Sequence, residues 1–227
     1  MKFRILVGSL LVWGSLPGWA MPGIEALALS GGRSFCAFSP SLNRSETAAE
    51  SASFQVKKGD RKEDAEQLAR ALDYFSSEKF HECLVLLQPL NRRYKLNPRY
   101  RAYLAVCLYY EWEYAEAIRL FDEVIPLLQG LAPHELSLYY WMDAESYFAL
   151  QQYDRALPLY EKMLPLCRDN EKPDAYYRMG FCHLFAEERK KAKECFELSL
   201  EGYLKYRNTP KEKARIAQIR HMIGGLK

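Results

Sequence analysis

The chain has 227 residues, of which 49% are hydrophobic and 14% aromatic, and this is enough apolar material to bury one sizeable core. Its 32 Lys and Arg residues against 29 Asp and Glu residues give a formal net charge of +3 at pH 7. This near balance argues against nucleic acid as the main partner, because such binding rests on an excess of basic side chains that face phosphates.

The N-terminal segment, residues 1–20, has the layout of a secretory signal peptide. Two basic residues precede an apolar run at 5–16, and the small residues Gly18 and Ala20 stand third-last and last in the segment. A helix that spans a bilayer needs about 20 apolar residues, and Pro17 stops this run earlier. We therefore expect a cleaved signal and an exported protein, periplasmic or secreted. An uncleaved anchor and a wrongly assigned start codon are the alternatives.

Residues 21–60 are rich in Ser, Ala and Gly, and their apolar residues show little helical period. This composition predicts a flexible linker. The Arg and Ser content, with few acids before Glu46, is also typical of organelle transit segments, which is the second interpretation of this stretch. The first helix is predicted to begin between Lys62 and Asp64.

Residues 61–205 repeat one spacing of small and bulky residues. In each unit a small residue is followed twelve positions later by a second small residue, and four positions after that by a bulky one. The sets are Ala71/Cys83/Leu87, Ala105/Ala117/Phe121, Ala144/Ala156/Tyr160 and Gly180/Ala192/Phe196. Antiparallel helices approach within about 8 to 10 Å only where small side chains face each other, and a bulky residue one turn later fills the space between units. The spacing therefore predicts four stacked helical hairpins.

These residues resemble the tetratricopeptide repeat (TPR) family, whose pattern is W-x2-L-G-x2-Y followed by A-x3-F over about 34 residues. Ala144-x2-Tyr147 with Ala156-x3-Tyr160 is a good copy, whereas other residues occupy the tryptophan position of the family. The residues in that position are Gln67, Arg101, Tyr140 and Tyr176. The resemblance implies an all-α fold, a right-handed superhelical solenoid of antiparallel helix pairs with a C-terminal capping helix.

Pro126 and Pro165 stand at the same register of two repeats, late in the predicted second helix. A proline inside a helix removes one hydrogen bond and costs roughly 3 kcal/mol unless the helix ends there. We therefore expect both second helices to kink or to end early.

In the TPR family the first helix of each hairpin lines a concave groove that holds peptides. Carried onto this sequence position by position, the resemblance implies a peptide-binding groove that is mostly aromatic and apolar. Its residues are Leu72, Arg99, Tyr103, Val106, Tyr110, Trp141, Met142, Glu145, Phe148, Tyr177, Arg178 and Phe181. Such a lining favours a hydrophobic or helical segment of a protein partner. The alternative is that these aromatic residues pack in the core.

Six cysteines in a chain bound for an oxidising compartment favour disulfide formation. Cys83 with Cys107, and Cys182 with Cys195, lie at similar heights on helices that are predicted to be adjacent, so they are the two candidate pairs. A bridge requires Cα atoms about 4.4 to 6.8 Å apart. The alternative is that cysteine serves here as a small core residue.

The sequence contains no recognisable catalytic motif. Its four histidines are scattered, and it lacks HExxH, GxSxG, CxxC and a phosphate-binding glycine loop. Cys182, His183 and Cys195 do not have the close paired spacing of zinc ligands. We therefore expect no enzymatic activity, no metal and no cofactor.

The C-terminal segment, residues 206–227, is predicted to form a basic capping helix. Thr209, Pro210 and Glu212 are typical of a helix start. Seven basic residues from Lys205 onward accompany a single acidic one. On one interpretation these charges keep the last repeat soluble. On the other, they contact an anionic membrane or an acidic protein at the periphery.

Together these elements predict an exported, non-catalytic TPR-like protein that acts as a protein-protein interaction scaffold. The alternative is a chaperone or assembly factor for an exported or secreted protein. A chaperone binds several partners transiently, whereas a permanent scaffold subunit co-purifies with its partner in fixed proportion.

Overall fold

The computed structural model describes residues 58–128 and 130–226; the predicted signal segment and most of the predicted linker lie outside these ranges. Every regular element within them is a helix. The α-helices are α1 (Lys58–Ser76), α2 (Phe80–Tyr94), α3 (Pro98–Tyr110), α4 (Tyr114–Val124), α5 (Pro133–Ala149), α6 (Tyr153–Met163), α7 (Lys172–Phe185), α8 (Arg189–Tyr206) and α9 (Lys213–Gly225), with 3-10 helices at Ile125–Leu127 and Pro210–Glu212. The first helix thus begins ahead of the predicted Lys62. None of these described helices combines the length and the apolar character needed to cross a membrane.

Consecutive helices pack as hairpins, α1 with α2, α3 with α4, α5 with α6 and α7 with α8, and each hairpin packs on the next in chain order. The small residues of the repeated spacing are buried at these contacts, and so are the bulky ones. At Gly180 the helices are so close that an added Cβ would lie 2.7 Å from the Phe196 ring. The predicted fold, a TPR-like solenoid of helix pairs, is confirmed.

The two helices of each hairpin are joined by the same tight turn. Its central residue has a left-handed backbone, with φ between 57° and 64°. The residue after it donates its N–H to the carbonyl oxygen five positions earlier over 2.9 Å, which closes the first helix. The central residues are Glu78, Trp112, Gln151 and Glu187. The repeat is therefore one of backbone geometry as well as of side-chain spacing.

Prolines end the second helices of two hairpins. α4 stops at Val124 and gives way to the 3-10 turn that contains Pro126. α6 stops at Met163, just before Pro165. Each helix ends where the proline would remove a hydrogen bond, so the prediction that both end early is confirmed.

α9 covers the open end of the last hairpin. Ile216 and Ile219 are buried against aromatic side chains of α7 and α8. The start of the segment differs from the predicted capping arrangement, because the Thr209 side chain makes no capping hydrogen bond and Glu212 accepts one from Arg207 at 2.6 Å. This closing helix shields apolar surface that the last repeat would otherwise expose.

Candidate functional site

The twelve predicted groove residues all lie on the first helices α1, α3, α5 and α7, and they divide into two classes by exposure. Six are buried: Tyr103, Val106, Trp141, Met142, Glu145 and Tyr177. Six are half-buried or exposed: Leu72, Arg99, Tyr110, Phe148, Arg178 and Phe181. Only the second class offers side-chain surface to a partner while the fold stays unchanged. The second class without Tyr110, which lies beside a turn, is called the first-helix groove below.

The buried aromatic residues of this set join neighbouring helices. Tyr103 stacks on Phe75 of α1 with ring centroids 4.3 Å apart. Trp141 meets Tyr160 of α6 edge-on with centroids 5.5 Å apart. Burial raises the pKa of both phenols, Tyr103 and Tyr160, so each stays protonated at neutral pH. In this structure these rings act in packing between helices.

Arg99 joins α3 to α5 on the face of the first helices. Its Nη2 donates to both carboxylate oxygens of Glu135 at 3.1 Å. Glu135 also accepts a hydrogen bond from the Tyr139 hydroxyl at 3.1 Å, and burial raises the pKa of Tyr139. The positive charge of Arg99 is thereby balanced within the protein.

Arg178 joins α7 to α5 in the same way. Its Nη2 donates to Glu145 at 2.6 Å, and Glu145 accepts a second hydrogen bond from the Tyr160 hydroxyl at 2.5 Å. The guanidinium lies 4.7 Å from the centre of the Phe148 ring. Both arginines of the predicted groove therefore hold adjacent first helices together, and the positive charge that would otherwise attract a peptide carboxylate is balanced by a glutamate in each case.

Phe185 and Trp112 are among the exposed aromatic residues that sequence reasoning misses. Phe185, at the end of α7, is 54% exposed and stacks on Tyr153 of α6 with centroids 4.4 Å apart. Trp112, in the turn after α3, is 78% exposed. The sequence signal for Phe185 is its place one helical turn after Phe181. The signal for Trp112 is an aromatic residue at a turn position that is polar in the other hairpins.

The cysteines of both candidate disulfides are free thiols in this structure, so neither bridge is formed there. Cys83 and Cys107 are fully buried. The pKa of the Cys107 thiol is raised, mainly by a hydrogen bond with Cys83 and secondly by burial. Burial raises the pKa of Cys182 to about 12 and that of Cys195 to about 11. In this state all four are small core residues, and the thiols of Cys107, Cys182 and Cys195 stay protonated at neutral pH.

Metal-ligating side chains are dispersed in the described part of the chain, which holds no group of three or more. His183, beside Cys182 in sequence, contacts the Glu188 carboxylate through Nδ1 at 2.7 Å. Its ring is therefore held by an acid of the following turn. That the protein needs no metal or cofactor stays a prediction.

The basic C-terminal segment is partly engaged in internal contacts. Arg207 pairs with Asp174 and with Glu212. The guanidinium of Arg215 lies 4.3 Å from the centre of the Tyr177 ring. Exposed basic side chains include Lys205, Lys211, Lys213 and Arg220. Contact of this segment with an anionic membrane or an acidic protein stays a prediction.

Comparison of the sequence with protein-family models and with curated proteins gives no match. The fold, in contrast, is similar to solved structures of TPR-like helical repeat proteins. A structure of MamA AMB-1 aligns with 14% identity and a TM-score of 0.57, over 73% of this chain and 85% of MamA. A double mutant of MamA RS-1 aligns with 16% identity and a TM-score of 0.51, over 72% of this chain and 93% of that protein. Apo RapI aligns with 12% identity and a TM-score of 0.55, over 72% of this chain and 62% of RapI. At such identities the likeness shows the fold alone.

Proposed function

We propose that this TPR-like protein is a non-catalytic scaffold that binds a hydrophobic or helical segment of a protein partner in the first-helix groove. The observation that carries the proposal is a set of apolar side chains left half-buried after the hairpins have packed, Leu72 on α1, Phe148 on α5 and Phe181 on α7. A partner segment that covers them removes apolar surface from water, at about 25 cal/mol per Å².

The charges on this face also favour an apolar segment. Arg99 and Arg178 are each paired with a buried glutamate, Glu135 and Glu145 respectively. Taking either arginine away would leave an uncompensated buried charge, at a cost of about 3 to 5 kcal/mol. A partner carboxylate would have to compete with these pairs, whereas an uncharged segment leaves them intact.

The alternative role, a chaperone or assembly factor, would use the same groove. A scaffold and a chaperone differ in how long they hold a partner and in how many partners they bind.

Export, predicted from residues 1–20, is part of the proposal. Mass spectrometry of the mature N-terminus tests it, and an intact Met1 contradicts it.

Co-purification from the native host tests the groove. Leu72→Gln combined with Phe148→Gln removes apolar contact from two hairpins. The matched control combines Val85→Gln with Leu198→Gln, exposed apolar residues of the second helices α2 and α8. A buried residue such as Trp141 is unsuitable for this purpose, because truncating it costs about 3 to 5 kcal/mol of stability. Circular dichroism and thermal unfolding establish that both variants are folded.

We expect the groove variant to lose its partner and the control variant to retain it, because a few apolar anchors carry most of the affinity of such interfaces. One partner in fixed proportion supports a permanent scaffold, and several partners in low and variable amounts support a chaperone. Undiminished capture by the groove variant would show that the partner binds elsewhere.

A further inference from the structure

A second exposed surface lies at the turns within the first two hairpins. It consists of Glu78, Tyr110, Trp112 and Glu113, and it is called the turn patch below. Trp112 is 78% exposed and Tyr110 is 36% exposed, and both glutamates are exposed as well. These four residues lie outside the first-helix groove, at the ends of the helices rather than along them.

The fold does not require a tryptophan at position 112. The same turn, with the same left-handed backbone, is made in the other hairpins by Glu78, Gln151 and Glu187. An indole ring in water keeps a large apolar area uncovered, and each of the other three turns avoids this cost. Trp and Tyr are also the residues most enriched at the centres of binding interfaces, together with Arg.

Contacts between the two hairpins hold Tyr110 and the turn that contains Trp112 in place. Tyr110 stacks on Phe80 with ring centroids 4.0 Å apart and planes only 1° apart. His81 Nδ1 and a Glu111 carboxylate oxygen lie 2.8 Å apart, which links the start of α2 to the turn that contains Trp112. A surface that is already ordered loses little conformational entropy when a partner binds.

The charge beside the exposed rings is negative. Within the described ranges, Glu78 and Glu113 form no ion pair. The pKa of Tyr110 is raised to about 12; burial is the larger cause and the negative charge of the nearby Glu78 the smaller one. The basic residue between the two hairpin helices, Lys79, has its Nζ 5.9 Å from the centre of the Tyr74 ring. The patch therefore combines exposed aromatic side chains with carboxylates that form no ion pair among the described residues.

We propose that the turn patch binds a cationic segment of a partner protein. An arginine or lysine of that segment lies over the Trp112 and Tyr110 rings, and its basic neighbours meet Glu78 and Glu113. Cation–π attraction is strongest at tryptophan, and a long basic side chain packs its stem on an apolar ring while its charged end reaches a carboxylate. The first-helix groove cannot offer this, because its charges pair with buried glutamates.

A binding titration with the purified protein tests the proposal. The probe is a fluorescein-labelled peptide made of arginine and leucine, followed by fluorescence anisotropy at low salt. A second peptide has glutamate in place of each arginine. Trp112→Gln gives this turn the residue type that Gln151 has in the equivalent turn, so the fold is preserved. Glu78→Gln combined with Glu113→Gln removes charge and leaves the rings.

The wild-type protein is expected to bind the arginine peptide and not the glutamate peptide. Trp112→Gln weakens binding about tenfold, a factor that lies between those of an exposed and of a desolvated cation–π contact. The Glu78/Glu113 double variant weakens binding of the arginine peptide by a similar factor, and the affinity that remains depends less on salt. A control with the same change of charge, Glu194→Gln combined with Glu201→Gln on α8, leaves the affinity unchanged.

Three results would overturn the proposal. The first is that the wild-type protein does not bind the arginine peptide, or that Trp112→Gln binds it equally well. The second is an equal loss of affinity in the Glu194/Glu201 control, since the attraction would then follow net charge alone. The third is a loss confined to Leu72→Gln/Phe148→Gln, which would place the peptide in the first-helix groove. The first two results do not bear on whether a separate apolar partner occupies that groove, whereas the third would support binding there.

Discussion

Asp143 on α5 is a carboxyl group in the interior of the solenoid. Its side chain is 1% exposed, and its Oδ1 has no hydrogen-bond partner among the described residues. The pKa of Asp143 is raised to about 8, from 3.8 for an exposed aspartate; burial is the larger cause and the charge of Asp122 the smaller one. We predict that Asp143→Asn, which keeps the shape and removes the titration, makes the protein more stable at neutral pH.

The size of this effect follows from the linkage between protonation and folding. Between a pH of about 4 and about 8, folded Asp143 keeps its proton while the unfolded chain releases it. The unfolded state then binds fewer protons, so the free energy of unfolding falls by about 1.4 kcal/mol for each pH unit and levels off above about pH 8. From pH 4 to pH 7 the loss amounts to roughly 4 kcal/mol, and the asparagine variant avoids it.

Urea denaturation, followed by circular dichroism at a series of pH values from about 4 to about 8, measures this difference. The difference between wild type and variant isolates Asp143, because every other titrating group is common to both proteins. Asp154→Asn on α6, at an exposed carboxyl group, is the matched control. We expect the control to follow the wild-type curve and Asp143→Asn to gain on the wild type as the pH rises.

Parallel curves for wild type and Asp143→Asn would refute this reasoning, because folded Asp143 would then be ionised over the same pH range as in the unfolded chain. A variant that is less stable at every pH would refute it too. In that case the carboxylate would be making a stabilising contact that its burial conceals.

Two further predictions concern the repeat geometry. Gly180→Ala places a Cβ 2.7 Å from the Phe196 ring and is expected to destabilise the protein by about 1 to 3 kcal/mol in urea, whereas Gly224→Ala meets open space and serves as the control. Gln151→Gly relieves a left-handed backbone at φ 60° and is expected to stabilise the protein by about 0.5 to 1 kcal/mol in thermal unfolding. Gln152→Gly, at φ −91°, is the control that relieves no left-handed backbone and is expected to give no such gain, and equal effects at 151 and 152 would contradict the role given to the turn.

The fold could be predicted from the sequence because close helix contacts restrict the size of the side chains between them. Ala105 and Ala117 are fully buried at such a contact, and a larger side chain at either position would push α3 and α4 apart. The same restriction acts at every hairpin, so it leaves a periodic trace along the chain. The turn geometry leaves less trace, because Glu78 and Gln151 occupy a left-handed position where glycine is the usual residue.

The candidate site could be predicted only in part, because exposure on a first helix depends on the neighbouring repeats. Tyr103 on α3 is covered by Phe75 of the preceding hairpin. Glu145 is buried by Arg178, which is 33 positions away in sequence, and no pattern within α5 indicates that pairing. Some of the positions that were predicted to hold a ligand are therefore used here for contacts between hairpins. What remains exposed is narrower than the predicted groove, and its two arginines are paired with buried glutamates.

The two proposed surfaces differ in chemistry because they differ in how their charges are satisfied. Along the first helices, Arg99 and Arg178 meet glutamates of adjacent hairpins, so the surface left over is apolar and has no strong preference for the sign of a ligand. At the turns, Glu78 and Glu113 reach solvent beyond the ends of the helices, where no described residue of a neighbouring repeat pairs with them. A partner segment with an apolar stretch and a basic end would therefore bind in one orientation only, with its basic end at Trp112. Under the two proposals, this orientation requires only that Arg99 and Arg178 stay paired with their glutamates, so contacts that stabilise the solenoid would also set the orientation of a bound segment.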